Sequence, residues 1–200
     1  MVGEARPAAR VFLLSPASMH GRRGHLLKTS PNVPLARLLQ DGGRAPVGEV
    51  FAFISSLYFR GKLAYVRAFA PTSSYVMTPS RGLLAPDEEI TLDVLEEFGR
   101  VPIDEDEARF VEPLLRDVSR VCGMADEVVL LGSVASRKYT APLLKHLGRR
   151  LVFPSTFVGR GDMSRGGVLL RAARAGLELD YAPVADAVLH GKRPPKLPPV

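Results

Sequence analysis

Short apolar runs alternate along the chain with longer segments compatible with helix, and this alternation constrains the fold most. The runs lie at residues 11–14, 49–54, 75–78, 127–131 and 151–153. Helices are expected at residues 34–39, 57–69, 92–98, 107–122, 141–147 and 167–175. Such an alternation predicts an α/β fold, with a mostly parallel central sheet covered by helices on both faces in a three-layer α/β/α arrangement.

The length of 200 residues fits a single domain. No internal repeat or linker interrupts residues 1–190, which we predict to form one α/β domain. Residues 191–200 contain four prolines and three basic residues, a composition typical of an extended basic tail.

The N-terminal region and the cysteine content bear on the cellular compartment. Residues 11–14 are too short an apolar run for the core of a signal peptide, and no stretch approaches transmembrane length. The single Cys122 cannot form an internal disulfide and is expected to be a small buried side chain. We therefore expect a cytoplasmic protein with no membrane partner, while the oligomeric state is not indicated.

Charge is distributed in blocks. Residues 1–81 carry 11 Lys and Arg against three Asp and Glu, residues 82–127 four against 14, and residues 128–200 twelve against four. The acidic block includes an amphipathic pattern, so its carboxylates are expected on the solvated face of a helix. The remaining basic surface suits nucleic acid, nucleotide or another polyanion, although basic patches are often only solvated.

Residues 159–167 read Gly-Arg-Gly-Asp-Met-Ser-Arg-Gly-Gly, a composition typical of a ligand site. The segment leads into a predicted helix, whose free N–H groups and dipole favour an anion such as phosphate or carboxylate. The alternative is a surface turn that needs glycine for positive φ. The expected ligand contacts in this segment are Arg160, Gly161, Ser164, Arg165 and Gly166.

Small polar segments also follow the other four apolar runs. In an open α/β sheet such loops lie beyond the carboxyl ends of the strands, where ligands bind near a topological switch point. We therefore predict one shared crevice, although ordinary turn chemistry explains any one loop alone. The further ligand contacts predicted from these loops are Ser15, Ser18, Ser55, Tyr58, Ser80, Arg81, Gly132, Ser133, Arg137 and Lys138.

Two acids are candidates for catalysis. Asp162 is the one acidic residue of the 159–167 segment, and the flanking arginines would hold it ionised, fit to orient a water or stabilise a cationic transition state. It could instead simply pair with Arg160 or Arg165. Asp87 is the second candidate, and its alternative role is an acidic cap at a helix N-terminus.

Several common enzyme classes lack support in the sequence. No Ser/His/Asp order, Walker loop or strand-linked G-x-G-x-x-G is recognised, which counts against serine hydrolases, P-loop NTPases and dinucleotide oxidoreductases. Four scattered histidines and one cysteine argue against a zinc site. We therefore expect no cofactor and no bound metal.

A family resemblance rests on the order of elements and on four short segments, residues 14–17, 56–60, 78–90 and 131–139. These features resemble a group related to the uracil-DNA glycosylase fold, which includes the peroxide-stress YaaA family and the accessory domains of archaeosine-type tRNA-modifying enzymes. The resemblance implies a three-layer α/β fold with nucleobase, nucleotide or nucleic-acid ligands. It does not establish glycosidase activity and assigns no catalytic residue.

These observations leave two alternative functions open. The first is an enzyme acting on a nucleobase or nucleotide, including hydrolysis of an N-glycosidic bond, with base and phosphate held in the crevice. The second is a non-catalytic nucleic-acid-binding protein whose basic loops contact backbone phosphates. A deep pocket containing Asp162 favours the enzyme, and a broad, open basic surface favours the binding protein.

Overall fold

The structure, a computed structural model, describes residues 9–188, 191–195 and 197. Within these residues, eight strands form two sheets. They are β1 (Arg10–Leu14), β2 (Ala45–Pro46), β3 (Ser74–Met77), β4 (Leu83–Leu84), β5 (Glu89–Ile90), β6 (Glu127–Leu131), β7 (Leu151–Pro154) and β8 (Tyr181–Pro183).

The helices account for most of the remaining regular structure. They are α1 (Arg22–Thr29), α2 (Pro34–Gln40), α3 (Val47–Ser55), α4 (Leu57–Phe69), α5 (Leu92–Arg100), α6 (Ala108–Cys122), α7 (Arg137–Leu147) and α8 (Asp162–Ala175). Short 3-10 turns lie at Gly148–Arg150, Ser155–Phe157 and Val184–Asp186.

The central sheet has six strands in the order β4-β3-β1-β6-β7-β8. Its four inner strands are parallel neighbours, and the two edge strands run antiparallel to them. Strands β2 and β5 form a separate antiparallel pair. The predicted three-layer α/β fold with a mostly parallel sheet is confirmed.

The chain leaves β1 and β6 in opposite directions across the sheet. The connection from β1 leads to β3 on one side, and the connection from β6 leads to β7 on the other. Because such crossovers are right-handed, they cover opposite faces. Accordingly, α4 packs against α3 and α8, whereas α6 packs against α7.

The inner strands are apolar at successive positions because both faces of the sheet are covered. Residues 12–14 and 128–131 are fully buried, and Cys122 on α6 is a buried free thiol. Within the residues that the structure describes, no helix combines the length and apolarity needed to cross a bilayer.

One predicted strand is wrong. Residues 49–54 belong to α3, and not to the sheet. Val50, Phe51, Ala52 and Ile54 are all buried, so this short helix shows a nearly continuous apolar run. A run of that length has no periodicity that separates a buried strand from a buried helix.

Two helices begin earlier than predicted, and α1, like α3, was not predicted as a helix. Helix α7 begins at Arg137 and α8 at Asp162, so most of the 159–167 segment is the first part of a helix. Helix α1 occupies residues that gave no helical pattern. Its Gly24 is buried, and a Cβ there would overlap the backbone of Met19, so a glycine is required where α1 packs against the loop that follows β1.

The described part of the C-terminal tail, residues 191–195 and 197, contains no helix or strand. Its backbone at Lys192 packs against Gly159, which has a φ of 71° and no room for a Cβ. Residues 196 and 198–200 lie outside the described residues. The division into a domain and a tail stays a prediction.

Candidate functional site

The carboxyl ends of β1 and β6 are adjacent at the topological switch point of the sheet, where open α/β folds bind ligands. Ser15 follows β1 and Gly132 follows β6. A Cβ at Gly132 would lie 2.9 Å from Cβ of Ser15, so only glycine allows the two loops this contact. The predicted residues Ser15 and Gly132 therefore meet.

Lys62 reaches this point from α4. Its Nζ donates to the backbone oxygen of Ser15 at 2.9 Å and contacts Oγ of Ser15 at 2.7 Å. The amine also lies 4.1 Å from the ring centroid of Tyr58. The side chain is buried, with 1% of the residue exposed, and sequence reasoning missed it.

Contact between two glycines brings α4 and α8 together. A Cβ at Gly166 would lie 2.6 Å from the backbone oxygen of Leu57, and a Cβ at Gly61 would lie 2.6 Å from that of Gly166. The helices therefore touch through their backbones. Gly166 was predicted to admit a ligand, whereas in the structure it is covered by α4.

Arg165 and Asp162 lie on the first turns of α8. Nη1 of Arg165 lies 3.3 Å from Oδ1 of Asp162. The guanidinium packs over the ring of Phe157, and its side chain is 11% exposed. The Asp162 side chain is 66% exposed and begins the helix, where the dipole favours a carboxylate.

Tyr139, on α7, closes the arrangement beside β6. Its hydroxyl accepts a hydrogen bond from the backbone N–H of Ser133 at 3.0 Å. Burial raises the pKa of Tyr139, and contacts with Ser133 and the Ser15 hydroxyl oppose that rise. We call this group the switch-point cluster: Ser15, Tyr58, Lys62, Tyr139, Asp162 and Arg165.

Burial dominates the electrostatics of the cluster. It lowers the pKa of Lys62 to about 7, with the charge of Asp162 acting against this shift and that of Arg165 adding to it. Burial also raises the pKa of Tyr58, while the adjacent Arg165 acts to lower it. At neutral pH a large fraction of Lys62 is therefore an uncharged amine.

Two donors in the cluster are buried without an acceptor. Within the described part of the chain, neither the Tyr58 hydroxyl nor Nε of Arg165 has a hydrogen-bond partner. Buried polar groups are nearly always paired, and an unpaired one commonly marks the place of a water or ligand atom. These two atoms add donor capacity beside Asp162.

Two clefts flank the cluster. The first has a volume of about 440 Å³, and we call it the apolar cleft because its wall includes Pro16, Ala17, Met19, Phe98 and Ile103. Tyr139, Ser18 and Lys138 also line it. The second, the tail cleft, has a volume of about 510 Å³ and lies at the N-terminus of α8. Asp162, Arg160, Gly161 and Ser164 line the tail cleft together with the C-terminal tail.

Other predicted site residues pair with carboxylates of the acidic block. Arg81 forms an ion pair with Glu97, which also accepts a hydrogen bond from Ser80. Arg137 forms an ion pair with Glu105. These contacts tie the ends of β3 and α7 to the acidic block.

Two predicted residues, Ser55 and Asp87, lie away from the predicted crevice. Ser55 is the last residue of α3 and follows no strand. Asp87 is exposed in the turn between β4 and β5. Because β4 runs antiparallel to β3, it leads the chain away from the switch point. Asp87 does not cap a helix, since Thr91 caps α5 by accepting from the N–H of Val94.

Arg160 is fixed at the rim of the tail cleft. Its Nε donates to the backbone oxygen of Thr156 and its Nη1 to Oγ of Ser164.

Among the described residues, no group of three His, Cys, Asp or Glu side chains could hold a metal ion. Comparisons of the chain with known protein families, curated proteins and solved structures give no match. The function is therefore argued from the site.

Proposed function

We propose that this chain is an enzyme acting on a nucleobase or nucleotide, and that it hydrolyses an N-glycosidic bond. The observation that carries the proposal is the position of Asp162, an exposed carboxylate in the wall of the tail cleft beside arginine side chains. A cleft with both signs of charge suits a ligand that has a phosphate at one end and a bond to be hydrolysed at the other.

The phosphate is assigned to the arginine side of the tail cleft. Arg160 and Ser164 form one part of its wall, and the N–H groups at the start of α8 point toward the same end. Guanidinium groups and helix N-termini both bind phosphate oxygens. The sequence resemblance to the uracil-DNA glycosylase group supports the same ligand class.

Asp162 is assigned to the water. Water adds to C1′ of the sugar while its proton passes to the carboxylate, and the base leaves with the bonding electron pair and takes up a proton. Arg165 orients Asp162 through their ion pair. The proposal includes a cytoplasmic location, supported by the single buried and unpaired Cys122.

The test is product analysis by mass after incubation with nucleosides, nucleotides and single- and double-stranded oligonucleotides. Free base is expected from at least one substrate. Asp162→Asn is expected to retain ligand affinity and to lower turnover by roughly 10²-fold or more. Asp93→Asn is the matched control, since Asp93 is the acid in the first turn of α5. Equal turnover in wild type and Asp162→Asn would remove Asp162 from the mechanism.

The second candidate is a non-catalytic nucleic-acid-binding protein. It is favoured by the exposed basic residues Arg22, Arg23 and Lys28 on α1, which follows the loop after β1, and by exposed Lys138 on α7. For such a protein, Asp162→Asn would leave oligonucleotide affinity unchanged or stronger, because a negative charge is lost near phosphates. Absence of product from every substrate would favour this function.

A further inference from the structure

Ser15 and Lys62 form a buried, hydrogen-bonded pair that is suited to proton transfer but unfavourable for the stability of the fold. Nζ lies 2.7 Å from Oγ, within normal hydrogen-bond length. Among the described residues, no carboxylate lies within ion-pair distance of this amine, and its two hydrogen bonds go to Ser15. A buried ammonium without a counterion is strongly unfavourable, so an apolar side chain would suit a purely structural position better.

The protonation state of Lys62 gives the pair its reactivity. Burial lowers the pKa of the lysine to about 7, so the amine is uncharged in much of the protein at neutral pH. An uncharged amine has a lone pair that can accept the hydroxyl proton of Ser15. A serine hydroxyl becomes a useful nucleophile when an adjacent base takes its proton, and lysine serves as that base in several unrelated hydrolases.

The surroundings of Ser15 indicate what could react with it. Ser15 follows the last residue of β1 at the switch point, and the residue is 4% exposed. The residues directly after it and its neighbour Tyr139 line the apolar cleft. The lining is apolar at Pro16, Ala17, Met19, Pro79, Phe98 and Ile103, and it is polar or charged at His20, Asp104 and Lys138.

We propose that Ser15 and Lys62 are a nucleophile and base that hydrolyse carboxylic esters whose acyl group is apolar and occupies the apolar cleft. This activity goes beyond the proposed function, because it uses a different cleft and a different bond. The pair requires no histidine, so the lack of a Ser/His/Asp order in the sequence does not bear on it.

The reaction balances with water as the only co-reactant. Oγ of Ser15 bonds to the acyl carbon as its proton passes to Nζ of Lys62, and the ester C–O bond breaks as the leaving alcohol takes that proton. Water then attacks the acyl carbon and gives a proton to Lys62. The carboxylic acid leaves, and the proton returns from Lys62 to Oγ.

A fluorophosphonate reagent tests the nucleophile directly, because it forms a stable P–O bond with an activated serine and releases fluoride. When the intact, folded protein is labelled, wild type is expected to gain one phosphonyl group per chain. Peptide mapping after the reaction is expected to locate this group on Ser15. Ser15→Ala is expected to gain none. Ser155→Ala is the control, since Ser155 is an exposed serine that follows another strand of the same sheet. No adduct, or an adduct that persists in Ser15→Ala, would overturn the proposal.

Lys62→Met tests the base without adding a polar group to the core. Labelling and hydrolysis of p-nitrophenyl butyrate are expected to slow by roughly 10²-fold or more. In wild type both rates are expected to rise with pH through about 7, as Lys62 loses its proton. The groups that act on this amine are Tyr58 on α4 and Asp162 and Arg165 on α8, while Tyr139 on α7 contacts Ser15.

Lys62→Arg is the second variant. Its guanidinium keeps a positive charge at this position but cannot act as a base at neutral pH. If Lys62→Met reacts as fast as wild type, Lys62 is not the base and the proposal fails. The ester assay contains no nucleotide, and the nucleotide assay contains no ester. A negative result in one assay is therefore separate from a negative result in the other.

Discussion

At the scale of single residues, Lys62 shows how a position can oppose stability in a fold that otherwise buries apolar groups. Its neighbours on the same helix, Tyr58, Phe59 and Tyr65, are buried, and the amine replaces what would otherwise be another apolar contact. Folding therefore has to desolvate an amine or remove its proton. Either step leaves a signature in the dependence of stability on pH.

Lys62→Met is expected to be more stable than wild type at pH 6, by a few kcal/mol, with the difference shrinking as pH rises toward 10. The folded pKa of Lys62 is lowered to about 7 from 10.5, so between these values the unfolded chain binds more protons than the folded one. Wild-type stability therefore gains as pH rises through this window. Urea unfolding of both proteins from pH 6 to pH 10 measures the difference, and a constant difference would contradict a lowered pKa.

Arg160→Ala is expected to weaken binding of uridine or adenosine monophosphate by about 1.5–3 kcal/mol, the usual effect of losing one charged hydrogen-bond partner. Arg160 lies in the wall of the tail cleft, whereas the control Arg174 is exposed in the last turn of α8. Calorimetric titration compares Arg160→Ala with Arg174→Ala. Equal affinities in the two variants would show that Arg160 does not bind the nucleotide and only forms hydrogen bonds with Thr156 and Ser164.

At the scale of elements, the contact between α4 and α8 decides which side chains can meet. Gly61 and Gly166 allow backbone contact, and the residues next to them in sequence, Lys62 and Arg165, thereby become neighbours. The glycines of the 159–167 segment were interpreted as a way to admit a ligand. In the structure Gly166 instead allows the close contact with α4.

Gly166→Ala is expected to destabilise the fold by about 1–3 kcal/mol, because its Cβ would meet the backbone oxygen of Leu57 at 2.6 Å, and a backbone cannot rotate away. Gly99→Ala in α5 is the control. Its Cβ would make only ordinary contacts, the nearest at 3.8 Å, and alanine is favoured over glycine in a helix by about 0.5–1 kcal/mol. Denaturant unfolding should therefore give shifts of opposite sign, and similar shifts would contradict the close helix contact.

Elements with a clear pattern were predicted well from the sequence, and their surroundings were not. Helix α4 has the predicted bounds of residues 57–69, because its apolar positions recur at helical spacing. That same spacing places Lys62 on the face that carries Tyr58 and Tyr65, a signal that could have identified the lysine. Residues 49–54 could not be assigned correctly, since burial on several sides removes the periodicity that separates helix from strand.

At the scale of the whole molecule, ion pairs connect the acidic block of the sequence with both basic blocks. Glu97, Glu105 and Glu127 of the acidic block form ion pairs with Arg81, Arg137 and Arg10 from the two basic blocks. The number of basic residues in these blocks therefore overstates the number of cations without a carboxylate partner. Pairing of this kind depends on tertiary contacts between distant residues, which composition does not reveal.

This pairing predicts a shallow salt dependence for any binding to nucleic acid. The slope of log Kobs against log salt on duplex DNA is expected to be shallower than about −3, corresponding to about three phosphate contacts. Arg81, Arg137 and Arg165 already have carboxylate partners. Fluorescence anisotropy over a series of salt concentrations measures the slope, and a value steeper than about −5 would favour the nucleic-acid-binding alternative.

The location of the site was more predictable than its chemistry. The sheet rule placed Ser15 and Gly132 at one edge, because parallel strands end together, and the structure brings these two into contact. The roles of Ser80, Arg81 and Arg137 could not be judged, because their partners come from residues 97 and 105. Which polar loop residues remain available to a ligand is decided by such long-range pairs.

The rate at which Cys122 is chemically modified reports how often the folded chain opens. It is the only thiol, it is fully buried on α6, and burial raises its pKa to about 12. Because the thiolate is the reactive form, a maleimide is expected to modify the protein only when α6 leaves the sheet. Helix α6 covers the face opposite α4 and α8, so a ligand at the tail cleft slows modification only by stabilising the domain as a whole. The alkylation rate of Cys122 therefore measures ligand binding at the tail cleft, although the two lie on opposite faces of the sheet.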